Sequence, residues 1–265
     1  MEKKYILVTG ASGGMGKATV KLLTERGYTV FALDRTEYEA TPNVIPLVCD
    51  LTDEQSVVRS VEKTMEYTDN LFAVVHFAGI YMLDSLVEME SGAFDKILDV
   101  NLRGAFLVNK AFLPLLGDGS RIVITTSELA PLDPLPFTGI YAVTKSALDK
   151  YAYSLRMELQ LLGISVSVLR AGAVSTDMLG VSTDALDKFV EKTELYSCNA
   201  ARFKSIVERV EARNITPDKL GKKVVKMLGK SNPRFAYTIN RNPLLLMLNI
   251  LPKRLQLWII KQVLK

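Results

Sequence analysis

The chain has 265 residues, 33 Lys and Arg against 29 Asp and Glu, 48% hydrophobic residues, two cysteines and one histidine. A single α/β domain of this length buries about three quarters of the surface its unfolded chain exposes, and the aliphatic and aromatic content rules out a disordered chain. Cys49 and Cys198 allow no disulfide framework and no four-cysteine zinc site, and a zinc dehydrogenase or a Ser/His/Asp hydrolase would have to rely on His76 alone. The net charge of +4 is unevenly spread. From Lys219 onward there are eleven basic and no acidic residues, so residues 1–218 carry −7.

Met1 to Lys4 lead straight into a short apolar stretch and then glycines, without the pattern of a secretory signal. No apolar run approaches the roughly 20 residues needed to span a bilayer, so the expectation is a cytoplasmic protein. Short β-branched runs alternate with longer helical patterns, the βαβ signature of a parallel sheet. In chain order the predicted strands are residues 4–9, 29–33, 44–49, 71–76, 121–126, 165–171 and 235–239. The predicted helices are 14–26, 53–67, 94–116 and 139–162. Thr216, Pro217 and Asp218 open a further helix as cap, first-turn proline and dipole-matched acid. Seven strands fit one α/β sheet, with no internal repeat and no linker to mark a second domain. Residues 176–214 have the least regular pattern and are expected to form a mobile insertion.

After the first strand, Thr9-Gly10-Ala11-Ser12-Gly13-Gly14-Met15-Gly16 opens the first helix. Glycines suit this place because the chain turns sharply, backbone N–H groups must approach a pyrophosphate closely, and the helix amino end offers positive potential to that anion. A glycine-rich stretch is often only a turn; the strand-turn-helix setting favours dinucleotide binding by Gly10, Ser12, Gly13, Gly14, Met15 and Gly16. Asp34 closes the second strand 18 residues after Gly16, near the spacing at which a carboxylate accepts hydrogen bonds from an adenosine ribose. The blander reading is a solvated strand-end acid. Asp34 would repel a ribose 2′-phosphate and so favours NAD over NADP, whereas Arg35 beside it could pair with that phosphate.

Tyr141 and Lys145 are four residues apart on a predicted helix, so phenol and ammonium share a face. A phenol with an ordinary pKa of about 10 needs roughly 3 to 4 kcal/mol of help to exchange protons near neutrality, and a nearby ammonium has the right sign to supply it. Alone, such a pair is most often an exposed helical couple.

Taken together, these residues resemble the short-chain dehydrogenases/reductases over residues 4–178, in the compact, hydroxysteroid- and retinol-dehydrogenase-like branch. The family's Thr-Gly, three residues, Gly-x-Gly pattern is met by Thr9, Gly10, Gly14 and Gly16, its adenine-side acid by Asp50 followed by Leu51, and its Tyr-x-x-x-Lys pair by Tyr141 and Lys145. Its middle-helix asparagine matches Asn101, and its serine after the fifth strand matches Ser127. The resemblance implies a Rossmann-type doubly wound parallel sheet of about seven strands with helices on both faces. It implies hydride transfer between NAD and an alcohol or carbonyl, with NADP the less favoured cofactor. Tyr141 would exchange the proton with the substrate oxygen. Lys145 would lower the phenol's pKa and hold the nicotinamide ribose, Ser127 would bond the substrate oxygen, and Asn101 would maintain a water route. Ala78-Gly79 would lie against the cofactor, and Val174 and Thr176 would contact the nicotinamide amide.

The departures from the family pattern are specific. Ser127 lies 14 residues before Tyr141 where 13 is usual, so residues 128–137, with Pro131, Pro134 and Pro136, must absorb one residue; otherwise Glu128 takes the serine's place. The usual Asn-Asn-Ala-Gly is His76-Phe77-Ala78-Gly79, with His76 expected as a structural substitute bonding across strands, and the usual Pro-Gly is Ala171-Gly172. The carboxyl segment 243–265 is apolar, basic and broken by Pro252. Three readings stay open for it: a helix over the substrate cleft or against another subunit, a peripheral membrane attachment with Trp258 at the interface, or a site for an anionic substrate. The first two point to a bulky apolar secondary alcohol or ketone, since a lid of Leu, Met and Ile cannot satisfy many hydroxyls. A dimer or tetramer is implied through the helices around Asn101 and Tyr141. Nucleic-acid binding is not expected, because the basic residues are mixed with aliphatics and lack an aromatic stacking surface. The alternative class is a catalytically weak nucleotide-binding regulatory or scaffolding protein of the same fold.

Overall fold

Strand β1 (Tyr5–Thr9) is buried at four successive positions, Ile6 to Thr9, as a strand covered on both faces must be. The computed structural model describes residues 3–211 and 214–265. After β1 come α1 (Gly14–Thr24), β2 (Thr29–Asp34), β3 (Val44–Val48), α2 (Glu54–Met65), β4 (Ala73–His76), α3 (Ser91–Leu98), α4 (Gly104–Phe112), β5 (Arg121–Ser127) and α5 (Gly139–Leu159). Then follow β6 (Ser165–Ala171), α6 (Asp177–Lys192), α7 (Ser197–Glu211), α8 (Pro217–Leu228), β7 (Ala236–Ile239), α9 (Pro243–Ile250) and α10 (Lys253–Leu264). All strand pairings are parallel, in the order β3-β2-β1-β4-β5-β6-β7. The sheet is the doubly wound Rossmann type, and each predicted strand is present with ends shifted by no more than two residues. Pro46 is tolerated in β3 because that strand lies at the edge and pairs only with β2.

Both faces of the sheet are covered. Leu7, Phe31 and Leu33 pack on one side with Val57 of α2, Val108 of α4 and Leu148 of α5; Ile6, Val8 and Val30 pack on the other with Val20 of α1 and Val224 of α8. Chain order reverses between β1 and β4, which opens a crevice at their carboxyl ends. The glycine turn leaves β1 there, and Ala78-Gly79 follow β4.

Two elements differ from their predicted form. The single helix expected over 94–116 is interrupted: α3 passes through one π turn, Asp99–Arg103, into α4, and a 3-10 turn at Leu113–Leu115 closes it. Pro114 explains the stop, since it has no N–H to continue the helix. Residues 176–214, expected as a mobile insertion, contain α6 and α7, while residues 212–213 lie outside the described residues. Leu186, Phe189, Ala200 and Phe203 there bury themselves against Leu83 and against Leu264 of α10. These apolar residues are irregularly spaced because they serve a small third core off the sheet.

Helix α5 presents Tyr141, Lys145 and Asp149 at four-residue intervals on its inner face. Asp149 is buried and takes two hydrogen bonds from Arg170 on β6, at 3.0 and 2.7 Å, and one from the Thr126 hydroxyl at 3.3 Å. This forked ion pair clamps the helix to the ends of β5 and β6, where the site lies.

Candidate active site

The glycine turn is built for close backbone approach. Gly10 has φ +67°, and a Cβ there would lie 2.5 Å from the Ala78 amide nitrogen; at Gly16 it would lie 2.1 Å from the Gly10 carbonyl oxygen. Gly13 caps α1 without a side-chain hydrogen bond, and the first turn carries no acid, so the helix's positive end is left available to an anion. Gly14 abuts Thr176, whose hydroxyl donates to the Val174 carbonyl at 3.4 Å, and Met15 lines the cleft beside it. Ala78 N–H reaches back to the Thr9 hydroxyl at 3.4 Å. These residues fit the pyrophosphate half of a dinucleotide.

At the end of β2 the Asp34 carboxylate accepts from Ser12 N–H at 2.9 Å and Thr36 N–H at 3.1 Å, which ties the strand end to the glycine turn. Asp50 accepts from Thr52 N–H and from the Thr52 hydroxyl, and these bonds, with the Arg35 charge, hold its carboxyl below the usual range. Leu51 is buried next to it.

The π turn carries Asn101. Its side-chain oxygen accepts from Ile80 N–H at 2.7 Å, and its amide group donates to the Ile80 carbonyl at 3.0 Å and the Thr144 hydroxyl at 3.1 Å. Asn101 thus joins the loop after β4 to α5, and widened turns of this kind often mark functional sites. A Cβ on Gly79 would come within 3.2 Å of Asn101 Oδ1 and 3.3 Å of Lys145 Nζ, so these three residues converge.

Lys145 is buried beneath Tyr141, its Nζ 5.7 Å from the ring centroid, and donates to the Thr125 carbonyl at 3.5 Å. No carboxylate pairs with it among the described residues, and burial alone brings its pKa down to about 8. The phenol moves the other way from the expectation: burial, and then the neighbouring Tyr81, push Tyr141 above the ordinary tyrosine range, while a hydrogen bond from the Ser127 hydroxyl opposes them. The Tyr81 and Tyr141 rings lie 4.9 Å apart. Desolvation of the phenol, with Tyr81 beside it, outweighs the Ser127 hydrogen bond.

Ser127 and Tyr141 meet although the spacing is one residue long. Glu128 points elsewhere, accepting from Asn242 N–H at 2.6 Å, with burial raising its carboxyl. Within the loop that must absorb the extra residue, Phe137 takes φ +65° and packs against Phe189, Tyr196 and Phe203 at ring separations of 4.6 to 5.4 Å. His76 is fully buried and bonds Asn109 of α4 at 2.9 Å rather than a neighbouring strand; burial lowers its pKa to about 4, so it stays neutral. Sequence reasoning missed Tyr81, Thr144, the Thr125 hydroxyl, which is buried without a hydrogen bond, and Asn240, whose amide donates to the Ala173 carbonyl at 2.8 Å. None is a specified position of a motif.

Above Tyr141, Ser127 and Lys145 opens a cleft of about 550 Å³, walled by Ala171, Gly172 and Val174 at the end of β6 and just beyond it and roofed by side chains of α7, α9 and α10. This volume is typical of small-molecule sites. A family model described as short chain dehydrogenase matches residues 4–187. The chain belongs to the short-chain dehydrogenase family. It is an NAD(P)-dependent oxidoreductase.

Among similar members, the 3-ketodihydrosphingosine reductase of Bacteroides thetaiotaomicron is 27% identical over 236 residues, covering 89% of this chain and 87% of its own length. Estradiol 17-beta-dehydrogenase 2 of Mus musculus is 32% identical over 202 residues, covering 71% of this chain but only 52% of its own length. A short-chain dehydrogenase of Burkholderia cenocepacia, solved with NADP, aligns over 100% of this chain and 98% of its own at a TM-score of 0.75 and 20% identity. A 3-ketoacyl-(acyl-carrier-protein) reductase of Brucella melitensis, solved with NADH, aligns over 90% and 97% at 0.73 and 21%. At such identities these two structures show the shared fold.

The enclosed ammonium has a measurable consequence. Lys145 is held below its ordinary pKa in the folded protein, so it costs stability at and below about pH 8 and that cost fades as pH rises toward the unfolded value near 10.5. Urea denaturation should therefore show wild type gaining stability relative to Lys145→Met between pH 8 and 10. A difference independent of pH would show that the ammonium is not desolvated.

Proposed function

We propose that the protein exchanges hydride between NAD(H) and the carbonyl carbon of a bulky apolar ketone, or the matching secondary alcohol. One observation carries this reading: the Tyr141 hydroxyl and Ser127 open into a cleft whose surface is largely apolar, roofed by Leu245, Leu248, Ile260 and Leu264, with Glu128, Asn240 and Arg241 among its polar groups. The bound nicotinamide supplies the hydride. Tyr141, held protonated by burial, is suited to give its proton to an oxygen as negative charge develops there, while Ser127 donates a hydrogen bond to the same oxygen. Lys145 lies under the ring to stabilise the phenolate left behind and to hold the ribose. Asn101, its amide committed to Ile80 and Thr144, positions α5. The names of relatives that act on ketosphingoid and steroid substrates support an apolar partner.

NAD is the proposed cofactor. The Asp34 carboxylate stands at the end of β2 and no basic residue lies within Ala11-Ser12-Gly13, which outweighs Arg35 beside it. Val174 and Thr176 border the cleft beside Met15 and are suited to the nicotinamide amide. The reading extends to one domain over residues 1–265 with a substrate-covering segment at 176–214, to a homodimer or tetramer through exposed Phe106, Val143 and Tyr153 on α4 and α5, and to a cytoplasmic enzyme that touches membranes peripherally. The nucleotide-binding scaffold is less well supported, because nucleotide binding alone gains nothing from enclosing an ammonium under a phenol.

Two experiments test this. NADH-linked turnover across ketones of graded size should favour large apolar substrates, and Tyr141→Phe should lower kcat by at least about a hundredfold with nucleotide affinity nearly unchanged. Undiminished turnover would remove Tyr141 from its role. Asp34→Ala should weaken NADH binding through loss of the ribose contact and of the Ser12 tether, yet raise the NADPH-to-NADH preference about tenfold or more. An unchanged ratio would discard Asp34 as the selector.

A further inference from the structure

The carboxyl segment forms α9 and α10, split at Pro252, and its two sides differ. Inward, Leu245, Leu248, Ile260 and Leu264 roof the cleft. The roof is tied down by Glu128 to Asn242 N–H, by Asp133 N–H to Asn249, and by Asn199 to the Leu264 carbonyl. Outward, Met247 is 64% exposed, Ile250 82%, Leu257 69% and Trp258 58%. Arg254 precedes Trp258 by four residues and Leu257 precedes Lys261 by four, so cations and apolar side chains share one face of α10.

The charge on this face has one sign. No acidic residue occurs from Lys219 to the end of the chain. Lys253 is neutralised by Asp133, but Arg254, Lys261 and Lys265 make no ion pair among the described residues. A buried interface with another protein would ask for partners to these cations. A surface of phospholipid headgroups over hydrocarbon accepts both kinds of side chain at once, with Arg and Lys reaching the phosphates and Trp at the boundary. No described helix is long and apolar enough to cross a membrane, so contact of this kind lies in the plane of the bilayer.

We propose that the outer face of α9 and α10 docks on an anionic phospholipid bilayer, with the same two helices forming the roof between lipid and cleft. Entry of an apolar ketone from the bilayer rests on the reading of the cleft given above; docking itself does not.

Trp258 is the single tryptophan, so its emission reports this face alone. With the full chain on mixed phosphatidylglycerol and phosphatidylcholine vesicles, its emission should shift to the blue and be quenched by bromine-labelled acyl chains. About 1 M salt, where the screening length is roughly 3 Å, should reverse the effect. Arg254→Gln with Lys261→Gln should weaken vesicle binding roughly thirtyfold, about fivefold for each cation, and leave turnover of a small water-soluble ketone unchanged. Unchanged emission on the anionic vesicles, or an equal shift on phosphatidylcholine alone, overturns the proposal. So does lipid-free protein that sediments as a dimer with emission already blue and reverting on dilution, which assigns the face to a second copy. Vesicle binding by a protein that turns over no ketone refutes the catalytic reading and upholds the docking; turnover without vesicle binding does the reverse.

Discussion

The arrangement of the site depends on one constraint: an ammonium and a phenol are enclosed together on the inner face of α5. Among the described residues Lys145 hydrogen-bonds only the Thr125 carbonyl, at 3.5 Å, and burial draws it toward neutrality. Such a group holds its place only if the helix that carries it cannot retreat. The Asp149–Arg170 pair one turn farther along supplies that anchor, and Asn101 with Thr144 fixes the amino-terminal half from the other side. The stable ion pair is therefore set apart from the reactive one. Asp149 is spent on Arg170, and the charge of Lys145 remains available to the phenol and to a nucleotide.

The sheet was legible because its cause is local. A strand covered on both faces must be apolar throughout, and seven such runs separated by helical periods leave little choice of architecture. The glycine turn was legible for the same reason, since Gly10 and Gly16 stand where any side chain would strike backbone. What escaped depends on the partners of a residue more than on its neighbours in sequence. The π turn at Asp99–Arg103 has no signature in 94–116, His76 finds Asn109 on a helix beneath the sheet, and Phe137 takes a left-handed backbone amid three aromatic rings from distant elements. The reversed shift of Tyr141 escaped for a related reason. Pair spacing reports the ammonium but not the depth of burial.

Phe137 also links the site to the third core. That residue ends the loop that begins at Ser127 and packs on Phe189 and Phe203 of α6 and α7, which in turn meet Leu264 of α10. Loop, insertion and roof thus form one apolar body on the open side of the crevice. Glu128 and Asp133 pin that body to the roof helices from the catalytic side. The loop between Ser127 and Tyr141 belongs to this assembly, and the serine still meets the phenol.

Burial holds the Tyr141 hydroxyl above the ordinary tyrosine range, so in the free enzyme it stays protonated and ready to act as a proton donor. Carbon-13 labelling at tyrosine Cζ tests it directly, with Tyr141→Phe identifying the resonance. That signal should stay at its protonated position from pH 6 through about pH 10. A transition to phenolate near neutral pH would contradict the claim.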